Sequence, residues 1–173
     1  MKLTQSHFET PTGPMVLLLD DAERVRLFEW VDHRARMDRL LARHYPNTTF
    51  TIEEGAAPAA YQSAIQAYFS GDITALEALP VAFGGTNFQQ TVWQALQTIP
   101  AGKTLSYGQL AAQIGNPKGM RAVGLANGAN PIALIVPCHR VIGANGTLTG
   151  YGGGMDRKQW LLRHEGSLPQ NLL

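Results

Sequence analysis

Apolar positions run nearly unbroken from Met15 to Leu19 and resume through Val25, Leu27, Phe28 and Trp30. Two such runs around Asp21 to Glu23 predict a β-hairpin with strands at Met15 to Asp20 and Arg24 to Val31. The spacing then lengthens to a helical repeat over Arg34 to His44 and over Ala60 to Ser70, where Gly71 supplies a stop. His7, His33 and His44 follow no metal-ligand spacing and read as surface residues, and Arg36, Arg39 and Arg43 read as a solvated helix face. No catalytic constellation emerges from this stretch.

Pro80, Gly84 and Gly85 interrupt the pattern and set expected domains of 1–84 and 85–173. Thr86 is placed to cap a helix from Asn87 to Thr98. Beyond Pro100 and Gly102, Tyr107, Leu110, Ala111 and Ile114 recur at i, i+3, i+4 and i+7, which is one apolar helical face. Gly115, Asn116 and Pro117 force a turn, and Lys118 to Gly128 has the composition of a second helix. Helix, short glycine-containing turn, helix is the helix-turn-helix plan. Gly124, Ala126 and Gly128 leave that second helix short of side-chain bulk, although glycine costs roughly 1 kcal/mol in a helix interior. Such a surface suits either tight packing on another helix or entry into a DNA groove, the narrow minor groove included. Arg121 projects from the same segment and is long enough to enter a base stack.

The apolar run Ile132 to Val136 predicts a buried strand that ends at Pro137, Cys138, His139 and Arg140. A glycine-rich loop covers Gly143 to Gly154, a helix follows from Asp156 to His164, and Gly166 stops it. Glu165 thus sits at a helix C-terminus, where cations are favoured, and needs a cationic or donor partner. His139 is the expected one, which gives a nucleophile, a base and an orienting carboxylate.

Composition sharpens this picture at two points. Cys138 is the one cysteine among 173 residues, so the chain has neither an intrachain disulfide framework nor a thiolate-rich zinc site. Flanked by His139 and Arg140, it reads as a reactive thiol rather than an inert buried one. The net charge of +1 divides unevenly: residues 1–100 carry seven Lys/Arg against eleven Asp/Glu, and residues 101–173 seven against two. No carboxylate side chain occurs between Glu77 and Asp156. A basic second half fits a polyanion partner, and equally a solvated face. The polar start Met1 to Thr10 and the lack of a long apolar run lead to the expectation of a soluble, cytoplasmic protein with no targeting signal. Neither a P-loop nor a dinucleotide fingerprint is present, and no cofactor or metal is expected.

Taken together, Pro137–Val141 (PCHRV), the preceding ANPIALIV, the GYGGG loop, the WLLRHEG end and the SYGQLA and GMRAVG helices resemble the O6-alkylguanine-DNA alkyltransferases, or methylated-DNA–protein-cysteine methyltransferases, in their single-function bacterial form. The motifs cover roughly residues 86–166. The resemblance implies an α/β (α+β) chain with a small ribonuclease-H-like N-terminal domain and a C-terminal alkyltransferase domain of helix-turn-helix, winged-helix-like type. It implies transfer of a methyl or larger alkyl group from guanine O6, and from thymine O4, to Cys138, with one turnover per monomer. His139 acts through a water as base, Glu165 orients it, and Asn130 braces the active-site turn. Arg121 fills the gap left by the flipped nucleotide in double-stranded DNA bound through its minor groove. Tyr107 assists rotation of the target phosphate, and Asn116 supplies a backbone contact. Tyr107, Tyr151, Gly152 and Gly153 wall the base pocket. Vertebrate-type relatives carry serine where this chain has Gly152, so a backbone N–H replaces that hydroxyl here.

Two other classes share single features with the chain. A Cys-His-Glu thiol hydrolase would turn over and leave Cys138 unmodified, and a helix-turn-helix regulator would read DNA sequence and ignore methylation.

Overall fold

A computed structural model describes residues 1–148 and 150–168. The chain forms two compact units, Met1–Thr86 joined by Pro131–Ile135, and Asn87–Asn130 joined by the residues from Val136 onward. The second unit is therefore interrupted by a five-residue return to the first.

The first unit is built on a four-stranded sheet of order β3-β2-β1-β4, from β1 (Lys2–Phe8), β2 (Met15–Asp20), β3 (Val25–Trp30) and β4 (Thr51–Glu54). β1, β2 and β3 pair antiparallel in sequence order, whereas β4 runs parallel to β1. Every residue of β2 is buried, which a central strand covered on both faces requires and which explains its unbroken apolar run. One face packs Val16, Leu18, Leu3 and Leu27 against Met37 and Leu41 of α1 (Arg34–His44). Helix α2 (Ala59–Phe69) buries Tyr61, Ile65 and Tyr68, and beyond it Gly71 adopts φ 118°, which ends the helix as its sequence implies.

Sequence pattern left out β1 and β4. β1 buries only Leu3 and Ser6 fully and β4 is exposed throughout, so neither shows an apolar alternation, and strand pairing alone makes them strands. His44 is corrected from surface to core: it is buried, and burial together with Arg36 and Arg43 pushes its imidazole down to about 4. Arg36 likewise leaves the solvated face and pairs with the buried Glu29. Arg39 and Arg43 are exposed as expected.

The second unit holds α3 (Asn87–Leu96), β5 (Leu105–Ser106), α4 (Tyr107–Gln113), α5 (Met120–Gly128), β6 (Val141–Ile142) and α6 (Met155–His164). Val92, Trp93, Leu96, Leu110, Ala111, Val123 and Ala126 are buried in this unit. The Trp93 indole N–H donates to the carbonyl of Ala126 at 2.8 Å, so the largest buried side chain of α3 keeps its polar atom satisfied. α4 starts on a capping box: the Ser106 hydroxyl accepts from the Gln109 N–H, and the Gln109 side chain accepts from the Ser106 N–H. Both helices are a little shorter than their sequence patterns suggest, α3 ending at Leu96 and α5 beginning at Met120. Among the described residues no helix is long and apolar enough to cross a membrane.

Candidate active site

The run 132–136 is buried but is not a strand. Ile132 makes a single bridge to Phe28, the chain then turns, and Leu134 takes φ 68°. A left-handed leucine costs roughly 1–2 kcal/mol, which burial of its side chain offsets. Cys138 consequently opens a short 3-10 helix, Cys138–Arg140, in place of ending a strand.

Two asparagines hold the carbonyls around it. Asn130 Nδ2 donates to Val136 O at 2.8 Å, and Asn127 Nδ2 donates to Cys138 O at 3.4 Å. Both asparagines are buried. Asn127 escaped sequence reading because nothing in GMRAVGLANG separates a structural amide from a solvated one.

Cys138 is 6% exposed, His139 is fully buried and Glu165 is 3% exposed. His139 Nε2 lies 2.9 Å from Glu165 Oε2. Arg140 grips the same carboxylate from two nitrogens, Nε to Oε1 at 2.8 Å and Nη2 to Oε2 at 3.1 Å, and donates from Nη1 to Ile99 O at 2.8 Å. Burial opposes ionisation of Glu165, but His139 and Arg140 outweigh it and hold the carboxyl well below the usual carboxylate range. The ionised carboxylate accepts from His139, so Nε2 carries a proton, and in the neutral imidazole Nδ1 then keeps its lone pair. Glu165 is thus held by two partners, His139 and Arg140. The sequence placed Arg140 beside the thiol but not on Glu165, because a charged side chain is presumed exposed.

Lys158 is a further buried group that the sequence did not single out. It lies on α6 with no exposed surface, and its Nζ donates to Val141 O at 2.6 Å.

The remaining expected residues are distributed along the second unit. Tyr107 opens α4, and a Cβ built on Gly124 of α5 would stand 3.8 Å from its ring, so the glycine places the two helices in ordinary contact. Asn116 forms the turn: its N–H donates to Ala111 O at 2.9 Å and its carbonyl accepts from Gly119 N at 2.9 Å. Gly119 packs directly against the Asn116 side chain, which a Cβ at that position would push aside. Arg121 is exposed on α5, flanked by Met120 at 53% and Leu125 at 72% exposure, the largest apolar exposures among the described residues of the unit. Tyr151 and Gly152 are half-buried and Gly153 is buried in the turn before α6, where Gly154 N donates to Tyr151 O at 3.0 Å. Among the described residues no three His, Cys, Asp or Glu side chains gather as a metal site.

Residues 87–167 match the family model described as "6-O-methylguanine DNA methyltransferase, DNA binding domain". Over 168 residues the chain is 49% identical to the methylated-DNA–protein-cysteine methyltransferase of Salmonella typhimurium, covering 97% of this chain and 98% of that one.

The chain belongs to the methylated-DNA–protein-cysteine methyltransferase family.

Another member, from Mycobacterium tuberculosis, is 54% identical over 161 residues, 92% of this chain and 90% of its own. A crystal structure of the M. tuberculosis OGT in complex with DNA superposes with a TM-score of 0.75 at 41% identity, over 96% of this chain and 94% of that one. The O6-methylguanine-DNA methyltransferase of Pyrococcus kodakaraensis shares the fold at 22% identity, with a TM-score of 0.70. The mixed α/β architecture expected from the methyltransferase motifs is the one this chain adopts.

Proposed function

We propose that this methyltransferase repairs alkylated DNA by direct reversal, moving a methyl or larger alkyl group from guanine O6, and from thymine O4, onto Cys138 once per molecule. The observation that carries the reading is the setting of the only thiol: Cys138 is buried at the head of a turn whose next residue is hydrogen-bonded to an ionised carboxylate.

His139 Nδ1 has no hydrogen-bond partner among the described residues, which suits it to take the thiol proton through a water. Glu165 holds the imidazole in the tautomer that leaves that nitrogen free to accept. The thiolate then attacks the alkyl carbon in line. A carbon–sulfur bond forms, the carbon–O6 bond breaks, and its electron pair stays on the purine oxygen. The guanine anion is met by donors, the Tyr107 hydroxyl among them, and recovers the proton lodged on His139. The product is a thioether, a poor leaving group, so no step regenerates Cys138.

O6 lies on the pairing edge of guanine, so the nucleotide must leave the stack, at a cost of a few kcal/mol. The surface of α5 supports a role in the minor groove: Arg121 is exposed to fill the vacated position, and Gly124 and Gly128 keep the helix lean. Asn116 contacts the backbone, Tyr107 turns the target phosphate, and Tyr151, Gly152 and Gly153 wall the pocket. Residues 85–173 act as the alkyltransferase domain and 1–84 as a ribonuclease-H-like structural domain, in a cytoplasmic monomer.

Intact-mass measurement after mixing with an O6-methylguanine duplex tests this reading. The expected result is one methyl group, on Cys138, and an end to reaction at one equivalent. Sustained turnover with unmodified Cys138 would show a hydrolase, and binding indifferent to methylation would show a regulator.

A further inference from the structure

The two most exposed large apolar side chains among the described residues stand on one helix: Met120 is 53% and Leu125 72% exposed, both on α5. At roughly 100° per residue, Met120, Gly124, Gly128, Arg121 and Leu125 follow one another around an arc of about 140°. Val123, Ala126 and Asn127 lie on the other side and are buried, so a different face holds the helix in its unit.

Within that arc Met120 and Leu125 form the rims and the glycines the floor. A Cβ built on Gly128 would meet nothing within 4 Å among the described residues, and one on Gly124 only the Tyr107 ring, at 3.8 Å. Had the lean face evolved to pack on a neighbouring helix, its rims would be covered. The surroundings are cationic: Lys118 and Arg121 are exposed, and no carboxylate side chain occurs between Glu77 and Asp156. The helix also lies inside the stretch that matches a DNA-binding domain. Apolar rims on a cationic surface suit a polyanion that offers an apolar wall between its charges.

The sugars provide such a wall only in DNA. A deoxyribose carries hydrogen at the 2′ carbon, whereas every sugar of an RNA strand carries a hydroxyl there, displayed in the minor groove. A hydroxyl pressed against leucine or methionine loses its water and gains no partner.

We propose that Met120 and Leu125 are specificity-determining residues that lie against the sugar walls of the minor groove and select deoxyribose over ribose. The methyltransferase is thereby directed to lesions in duplex DNA, and away from the same base in RNA or in DNA paired with RNA. This deepens the repair reading and rests on α5 entering the minor groove. Because the rims touch sugars and not base edges, the preference follows strand chemistry and ignores sequence.

The test compares the intact chain on undamaged duplexes of one sequence, all DNA or DNA paired with RNA. The wild type is expected to bind the all-DNA duplex at least about tenfold more tightly, because each opposed hydroxyl is left without a partner. In Met120→Gln/Leu125→Gln the residues remain helix formers but their amides can partner a hydroxyl, so the ratio falls below about threefold. A wild type without preference overturns the proposal. So does a variant that keeps its ratio, since groove shape or Arg121 would then account for it, and a variant unimpaired on either duplex gives the patch to a protein partner instead.

A second measurement needs the wild type alone. One ribonucleotide walked along a DNA duplex that carries a central O6-methylguanine is expected to weaken binding at a few adjacent positions, and uniform tolerance overturns the proposal equally. Methyl transfer from the all-DNA lesion duplex is followed in parallel. A chain that prefers deoxyribose through these residues but gains no methyl group sinks the repair reading and leaves the sugar readout, whereas transfer without that preference does the reverse.

Discussion

Glu165 is the most constrained side chain of the site: one buried carboxylate accepts from an imidazole and from both arms of a guanidinium. Replacing it with glutamine keeps the shape and removes the charge, leaving Arg140 buried without a counter-ion and His139 free to rotate. Breaking a buried pair from one side destabilises by about 3–5 kcal/mol. Glu165→Gln is therefore expected to lower the urea midpoint strongly, and to slow single-turnover methyl transfer at temperatures where the variant is still folded. Full retention of both would mean that Arg140 and His139 are held by other contacts. At this scale the sequence showed who needed a partner but not who would supply it. A carboxylate at a helix C-terminus is visibly anomalous, and so led to His139. Arg140 and Lys158 look ordinary in one dimension because burial of a charge is decided by neighbours dozens of residues away.

Among the elements, α1 and the β2–β3 hairpin were legible because each carries its own apolar period into a core that the same period predicts. β1 and β4 were not, since their residues satisfy a ladder more than a face, and the run at 132–136 misled because five apolar residues fit a buried turn as well as a strand. The end of α1 carries a pH dependence that the sequence did not suggest. His44 titrates at about 4 in the fold against about 6.5 in an unfolded chain, so between those values the unfolded state binds the extra proton. Stability accordingly falls as pH falls through this window, by on the order of 2–3 kcal/mol, and is fully present above it. Urea unfolding at pH 7 and at pH 4.5 checks this. His44→Gln is expected to flatten the difference, and an equally steep loss in the variant would assign it elsewhere.

For the molecule as a whole, the charge division remains the strongest large-scale signal: residues 101–173 carry seven Lys/Arg and two Asp/Glu. DNA affinity is expected to fall steadily with salt, because each neutralised phosphate releases condensed counterions. Arg121→Ala should reduce the slope of log affinity against log salt by at most about one and impair repair of duplex lesions far more than reaction with free O6-benzylguanine, for which no base need be flipped. A salt-independent affinity would remove the polyanion argument, and equal slowing of both substrates would place Arg121 in the pocket.

The return of Pro131–Ile135 to the first unit also sets a timetable for biosynthesis. Phe28 is made early, yet the Ile132 it bridges is added about a hundred residues later, so the outer edge of β3 stays unfinished over that whole interval. A nascent chain halted before residue 131 has an incomplete sheet, and one cut at the junction near residue 86 leaves Ile132, Ala133, Leu134 and Ile135 without the cover they have in the intact protein. Closure of the β3 edge therefore waits on a segment made long after the strand itself.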